Sequence, residues 1–138
     1  MPESHRQLLE AKVSSLRLDF PEVEANWVDP AKYHITVAFL GNRTDEEVAE
    51  LKELLHAWAE STREALANLL TIGAVSGRGG QMLWSFVDIG QDLRDRCFAL
   101  MLQLHSQLGI APERREFMPH LTLARIKKRW HKSVVNAV

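Results

Sequence analysis

The strongest constraint on this chain is a pattern that it contains twice. YHITVAFLGN begins at Tyr33 and PHLTLARIKK begins at Pro119, and both run His, apolar, Thr, apolar, Ala. Each copy alternates and is rich in β-forming residues, which predicts a strand. Helix-like and strand-like segments lie between the two. A motif repeated in this way predicts one domain, residues 1–138, of two pseudo-symmetric lobes, each lending one His-x-Thr strand to a shared cleft. The fold class is α+β, bilobal, with antiparallel sheets lining the cleft and helices packed outside.

The remaining segments fit that plan. Ser4–Leu18 reads as a helix with Leu8, Leu9, Lys12 and Leu16 near one face, ended by Pro21. Trp27 and Val28 read as a short strand before a turn at Asp29-Pro30. Thr44 opens a second helix with Glu47 at capping-box spacing, and Val48, Leu51, Leu55 and Trp58 form its apolar stripe. The Ala65–Val75 stretch reads as a strand near its end, followed by a loop at Ser76–Gly80. A strand is predicted at Met82–Ile89 and a helix at Gln91–Leu108. The helix carries Leu93, Cys97, Leu100, Met101, Leu104 and Leu108 on one side and stops at Gly109. Pro119–Ile126 is the last strand, and the tail after it is helical or frayed.

Alternation decides what the repeated strands present. His34, Thr36 and Ala38 share one face, with Ile35, Val37 and Phe39 turned into the core. In the second copy His120, Thr122 and Ala124 share a face, with Leu121 and Leu123 inward. Each strand then offers an imidazole and a hydroxyl, with a small alanine beyond that leaves room for a substrate. Paired imidazoles suit phosphodiester chemistry near neutral pH, because one ring can be neutral while the other is protonated. The neutral ring takes a proton from the attacking oxygen, and the protonated ring gives one to the leaving oxygen. The threonine hydroxyls can donate to non-bridging phosphoryl oxygens. The chain has no HExxH, no CxxC and no carboxylate cluster at ligand spacing, so no metal and no cofactor is expected. His5, His56 and His105 fall on predicted helices and His131 in the tail, and these are read as surface or structural. Trp27, Trp84 and Phe117 can stack on a base or serve the core.

Composition narrows the setting. With 46% hydrophobic and 25% charged residues the chain is ordinary globular protein, not a disordered one. A length of 138 residues suffices for a core without staples. The single cysteine, Cys97, cannot form an internal disulfide and reads as a core residue. No apolar run approaches the roughly 20 residues of a membrane span, and the N-terminus lacks a signal-peptide stretch, so a soluble, cytoplasmic protein is expected. A net charge of −1 gives no global field for duplex nucleic acid. The cations Arg114, Arg115, Arg125, Lys127, Lys128, Arg129 and Lys132 nevertheless crowd one segment, as a solvated tail or as an anion-attracting rim.

These residues resemble a known family. HITVAFLG and HLTLAR are similar to the two signatures of the 2H phosphoesterases, in particular the RNA 2′,3′-cyclic phosphodiesterase branch, also called LigT-like or 2′-5′ RNA ligase. MPE, WVDPAKYHITVAFLG, MLWSFVDI and PERREFMPHLTLAR resemble further family segments in the family's order, so the likeness covers nearly the whole chain. It implies hydrolysis of an RNA or nucleoside 2′,3′-cyclic phosphate to a 2′-phosphate, with reversible 2′-5′ ligation as a further activity. By the same resemblance His34 is the acid that protonates the departing 3′ oxygen and His120 the base that activates water, roles that the pseudo-symmetry makes easy to exchange. Thr36 and Thr122 hold the phosphate, and Arg125 adds a cationic contact. Plain alternation sends Arg125 to the face opposite His120, so that contact needs a bulge or the side chain's reach.

Family members also begin with an apolar strand and continue with further strands past the second signature. Here the edges so exposed are expected to be paired in a homodimer or covered by the tail. The competing reading is a module that binds a nucleotide or RNA end without turnover, since an error of about 1 Å costs roughly 100-fold in rate while binding persists.

Overall fold

Helix α1, Glu3–Asp19, forms where the sequence puts Leu9, Val13 and Leu16 at intervals of four and three, and these three are its buried residues. Leu8 is half exposed instead. The computed structural model describes residues 3–77, 80–111 and 117–128. Within them α1 is followed by β1 (Ala25–Trp27), a 3-10 turn (Pro30–Lys32), α2 (Asp45–Ser61), β2 (Asn68–Gly77), β3 (Gly80–Asp88), α3 (Gln91–Leu108) and β4 (His120–Ile126). The chain is α+β. The tail from Arg129, and Pro112–Glu116 with Arg114 and Arg115, lie outside the described residues.

Two compact units divide the chain. The first comprises Met1–Ile35, Leu69–Val87 and Pro119–Val138; the second comprises Thr36–Asn68 and Asp88–Met118. The first is built on one four-stranded sheet of order β1-β4-β3-β2, in which β4 runs antiparallel to both β1 and β3. On one face of the sheet Leu83 and Val87 of β3 join Leu121, Leu123, Ala124 and Ile126 of β4, all buried. Leu16 and Phe20, at the end of α1, line a small apolar cavity with Leu83, Ala124 and Ile126, so the helix covers this face. Burying each such aliphatic side chain is worth about 1.5–3 kcal/mol.

The second unit is a helix pair. Thr44 accepts from the Glu47 amide at 3.3 Å and the Glu47 carboxylate accepts from the Thr44 amide at 2.9 Å, completing the predicted capping box of α2. Leu51 of α2 packs with Leu100 and Leu104 of α3 and with Ile110. Trp58 donates its indole N–H to the Arg96 carbonyl at 3.2 Å, and Arg96 donates back to the Ser61 carbonyl at 2.7 Å. Gly109 adopts φ 61°, and its N–H reaches the His105 carbonyl while that of Ile110 reaches Leu104, a glycine stop for α3.

Four expectations about the repeats are corrected. The strand predicted over Tyr33–Leu40 is reduced to a single bridge at Ile35. Beyond it the chain enters the second unit, where Val37, Ala38 and Leu40 pack against the Leu51–Leu100 cluster and Phe39 is 71% exposed. Phe39 is therefore not a core residue and Ala38 does not lie open beside a substrate. In the second copy Ala124 is fully buried, not on the face of His120.

Candidate active site

The reason for that reversal lies in β4. Its register with β3 sets Phe86 across from His120, Trp84 across from Thr122, Leu83 across from Ala124 and Met82 across from Arg125. Between Leu83 and Trp84 the register shifts, so β4 places Leu123 as an extra residue between two pairs that are adjacent on β3. One added residue inverts the alternation beyond it. His120 and Thr122 are half-buried and flank the buried Leu121 and Leu123; past the bulge Ala124 is buried and Arg125 is exposed. Met82, Trp84 and Phe86 share one face of β3, so their partners Arg125, Thr122 and His120 share the corresponding face of β4. It is the face turned away from α1.

His120 rests on an aromatic platform. The Trp84 indole stacks on the imidazole with ring centroids 3.6 Å apart and planes 17° from parallel. Phe86 meets Trp84 edge to face at 6.1 Å and 74°. Gly73 of β2 makes room for this arrangement, since a Cβ there would stand 3.3 Å from the Phe86 ring. Among the described residues no group accepts from the buried Trp84 indole N–H. Trp84 and Phe86 are the residues the sequence reading missed as partners of His120. Their spacing of two within MLWSFVDI puts them on one face of a strand, and Trp84 reads as able to stack, but neither signal names His120 as the partner.

The first copy reaches β4 from its other edge. Asp29 accepts from the Ala31 amide at 3.0 Å and Pro30 begins the 3-10 turn, which the Tyr33 amide closes on the Pro30 carbonyl. His34 follows directly and is exposed, with Nδ1 2.8 Å from the Lys32 carbonyl. A carbonyl can only accept, so Nδ1 carries the proton and donates, which leaves Nε2 to exchange protons with a ligand. Ile35 then bridges Leu121 antiparallel. One step further along that register His34 lies opposite Thr122, with the inward pair Ile35–Leu121 beside them. Thr36, half-buried, is the first residue of the second unit.

The other candidates have plain roles. His56 pairs with Glu60 at 3.3 Å on α2, and His105 contacts the Ile110 carbonyl at the end of α3. The Trp27 ring is covered by the Arg17 guanidinium at 4.6 Å. Of the basic segment, Arg125, Lys127 and Lys128 are described and exposed. Lys128 pairs with Glu24 at 2.8 Å and holds that carboxyl below its usual range. Among the described residues no group of three or more His, Cys, Asp or Glu is gathered as a metal ion requires, and no helix is long and apolar enough to cross a membrane.

Comparison with known sequences supplies the family. The family described as LigT like Phosphoesterase matches residues 1–81, more than half of the chain and including His34. The chain belongs to this family. Curated relatives named RNA 2′,3′-cyclic phosphodiesterase occur in Geobacillus stearothermophilus (32% identical, covering 72% of this chain and 32% of the relative) and Aquifex aeolicus (25%, covering 77% and 57%). A third, from Aeropyrum pernix, is 32% identical over 72% of this chain and 56% of its own. The chain thus spans from about a third to somewhat over half of the length of these LigT-like relatives.

Two solved structures match its fold. Thermus thermophilus TT0787 superposes with a TM-score of 0.76 at 24% identity over 99% of this chain and 78% of its own. Escherichia coli LigT, crystallised with 3′-AMP, gives 0.67 at 21% identity over 97% and 74%. The α+β fold, with its antiparallel sheet and, among the described residues, three α-helices, is the LigT-like fold.

Proposed function

We propose that this LigT-like chain opens the 2′,3′-cyclic phosphate of an RNA end or nucleoside and leaves a 2′-phosphate, with His34 and His120 as its proton-transfer pair. The observation that carries the reading is the Ile35–Leu121 bridge, at which the two His-x-Thr copies meet on adjacent chain segments. The names of the curated relatives support the substrate class.

In this reading neutral His120 takes a proton from water as its oxygen attacks phosphorus. The bond from phosphorus to O3′ breaks, and protonated His34 delivers its proton to O3′. The bond to O2′ stays, so one P–O bond forms and one breaks, and the two imidazoles exchange protonation states before resetting through solvent. Each transfer contributes about 10²–10⁴-fold. The Thr36 and Thr122 hydroxyls donate to the non-bridging oxygens, and the Arg125 guanidinium complements the phosphate charge. With an RNA 5′-hydroxyl in place of water the same steps form a 2′-5′ linkage, reversibly. In the same reading exposed sheet edges are paired across a homodimer or covered by the tail, which sedimentation equilibrium tests.

The deciding experiment is turnover of a 2′,3′-cyclic nucleotide with EDTA present, comparing the parent with His34→Ala and His120→Ala. A 2′-phosphate product, lost in both variants while their circular dichroism is unchanged, supports the hydrolase. A folded parent that binds the nucleotide without turning it over replaces it with the binding module.

A further inference from the structure

We propose that Trp84 is the positioning residue for His120, fixing the plane of the imidazole so that its ring edge is held toward the substrate. The inference rests on the two-histidine reading above. The geometry behind it is a diagonal cross-strand contact. Phe86 lies directly across from His120 and Trp84 across from Thr122, so the indole reaches over from the neighbouring pair to cover the imidazole face. At 3.6 Å and 17° the two rings are in full face contact. An indole laid flat on one face narrows the χ1 and χ2 settings open to the imidazole. A face stack removes rotation out of the plane and occupies neither nitrogen, because proton transfer runs along the ring edge.

Trp84 is itself held. The Phe86 edge packs against it, and Gly73 lets Phe86 approach. What the indole has that phenylalanine and leucine lack is a face broad enough to cover the imidazole from the adjacent register position. His34 has an edge hydrogen bond to the Lys32 carbonyl, and His120 has a face contact with Trp84.

The test compares the parent with Trp84→Phe and Trp84→Leu, by proton NMR of the histidine ring protons and by steady-state kinetics on a 2′,3′-cyclic nucleotide. His120 is assigned by its absence in His120→Gln. Its ring protons are expected upfield in the parent through the indole ring current, partly so in Trp84→Phe, and at ordinary positions in Trp84→Leu, with His34 unmoved. In Trp84→Leu kcat is expected to fall by about 10–100-fold with KM unchanged, as for a misplacement of about 1 Å, and Trp84→Phe to recover part of it. His120 protons at ordinary positions in the parent overturn the proposal, as does an unchanged kcat in a folded Trp84→Leu. A parent without turnover defeats the hydrolase reading instead, and the NMR comparison then decides the stack by itself.

Discussion

Arg125 and His120 lie on the same face of β4 although an odd number of positions separates them. The extra residue opposite the Leu83–Trp84 step turns the strand over, so the guanidinium ends up beyond Thr122 on the face of the imidazole. A cation there can meet the phosphate that the proposed mechanism places between the two histidines. Arg125→Ala is therefore expected to raise KM for a cyclic nucleotide by about 10–100-fold, the worth of a charged hydrogen bond. Arg125→Lys should recover only part, since an ammonium lacks the planar fork. Steady-state kinetics at two salt concentrations measure both. An unchanged KM in Arg125→Ala removes the residue from the site.

The same bulge makes a second, independent prediction at Ala124. The alanine is fully buried and lines the apolar cavity beneath α1 with Leu16, Phe20 and Leu83. Ala124→Leu should overpack that space and cost about 1–3 kcal/mol, seen as a lower urea midpoint. A side chain on the substrate face would behave in the opposite way, lowering activity at unchanged stability.

What the sequence made legible follows from how local each signal is. The capping box at Thr44 and the stop at Gly109 depend on residues within one turn, and both stand where the spacing put them. The apolar stripe of α3 at Cys97, Leu100 and Leu104 is likewise a property of one helix. The histidines could be singled out because the motif occurs twice. The resemblance calls for a bulge or a long reach at Arg125, but the bulge cannot be placed from sequence, because it is a mismatch between two strands and neither strand alone contains it. For the same reason alternation misplaced Ala124 and Phe39. Ala124 follows the inserted residue, and Phe39 belongs to a segment that leaves the sheet after Ile35 to pack Val37, Ala38 and Leu40 in the second unit. The Trp84–His120 stack needs the register of β3 on β4, which no spacing within MLWSFVDI contains.

Tyr33, next to His34, limits stability at alkaline pH. Burial pushes its phenol above the ordinary value of 10.0, so the folded chain holds the proton after the unfolded chain has released it. The stabilisation is fully present below pH 10.0 and is lost as pH rises from there through the folded value. Tyr33→Phe removes this titration. Its stability relative to the parent should therefore increase steadily above pH 10.0 and stay constant below it, in urea melts across that range. A constant difference on both sides would place the phenol in water.

Asp29 carries the orientation of His34 through two steps. Its carboxylate accepts from the Ala31 amide and caps the turn Pro30–Lys32, and the Lys32 carbonyl at the end of that turn receives the His34 Nδ1 proton. Removing the cap frees the turn, and with it the acceptor that fixes which imidazole nitrogen carries the proton. Asp29→Ala is expected to cost about 1 kcal/mol, a normal value for a lost cap, and to lower kcat by about tenfold by loosening the base of the imidazole. Asp29→Asn, whose side-chain oxygen caps equally well, should restore both. The readouts are a urea melt and kcat for a cyclic nucleotide. Loss of stability in Asp29→Ala with kcat intact would mean that His34 keeps its setting without the turn, and the Lys32 contact would then be incidental to the chemistry.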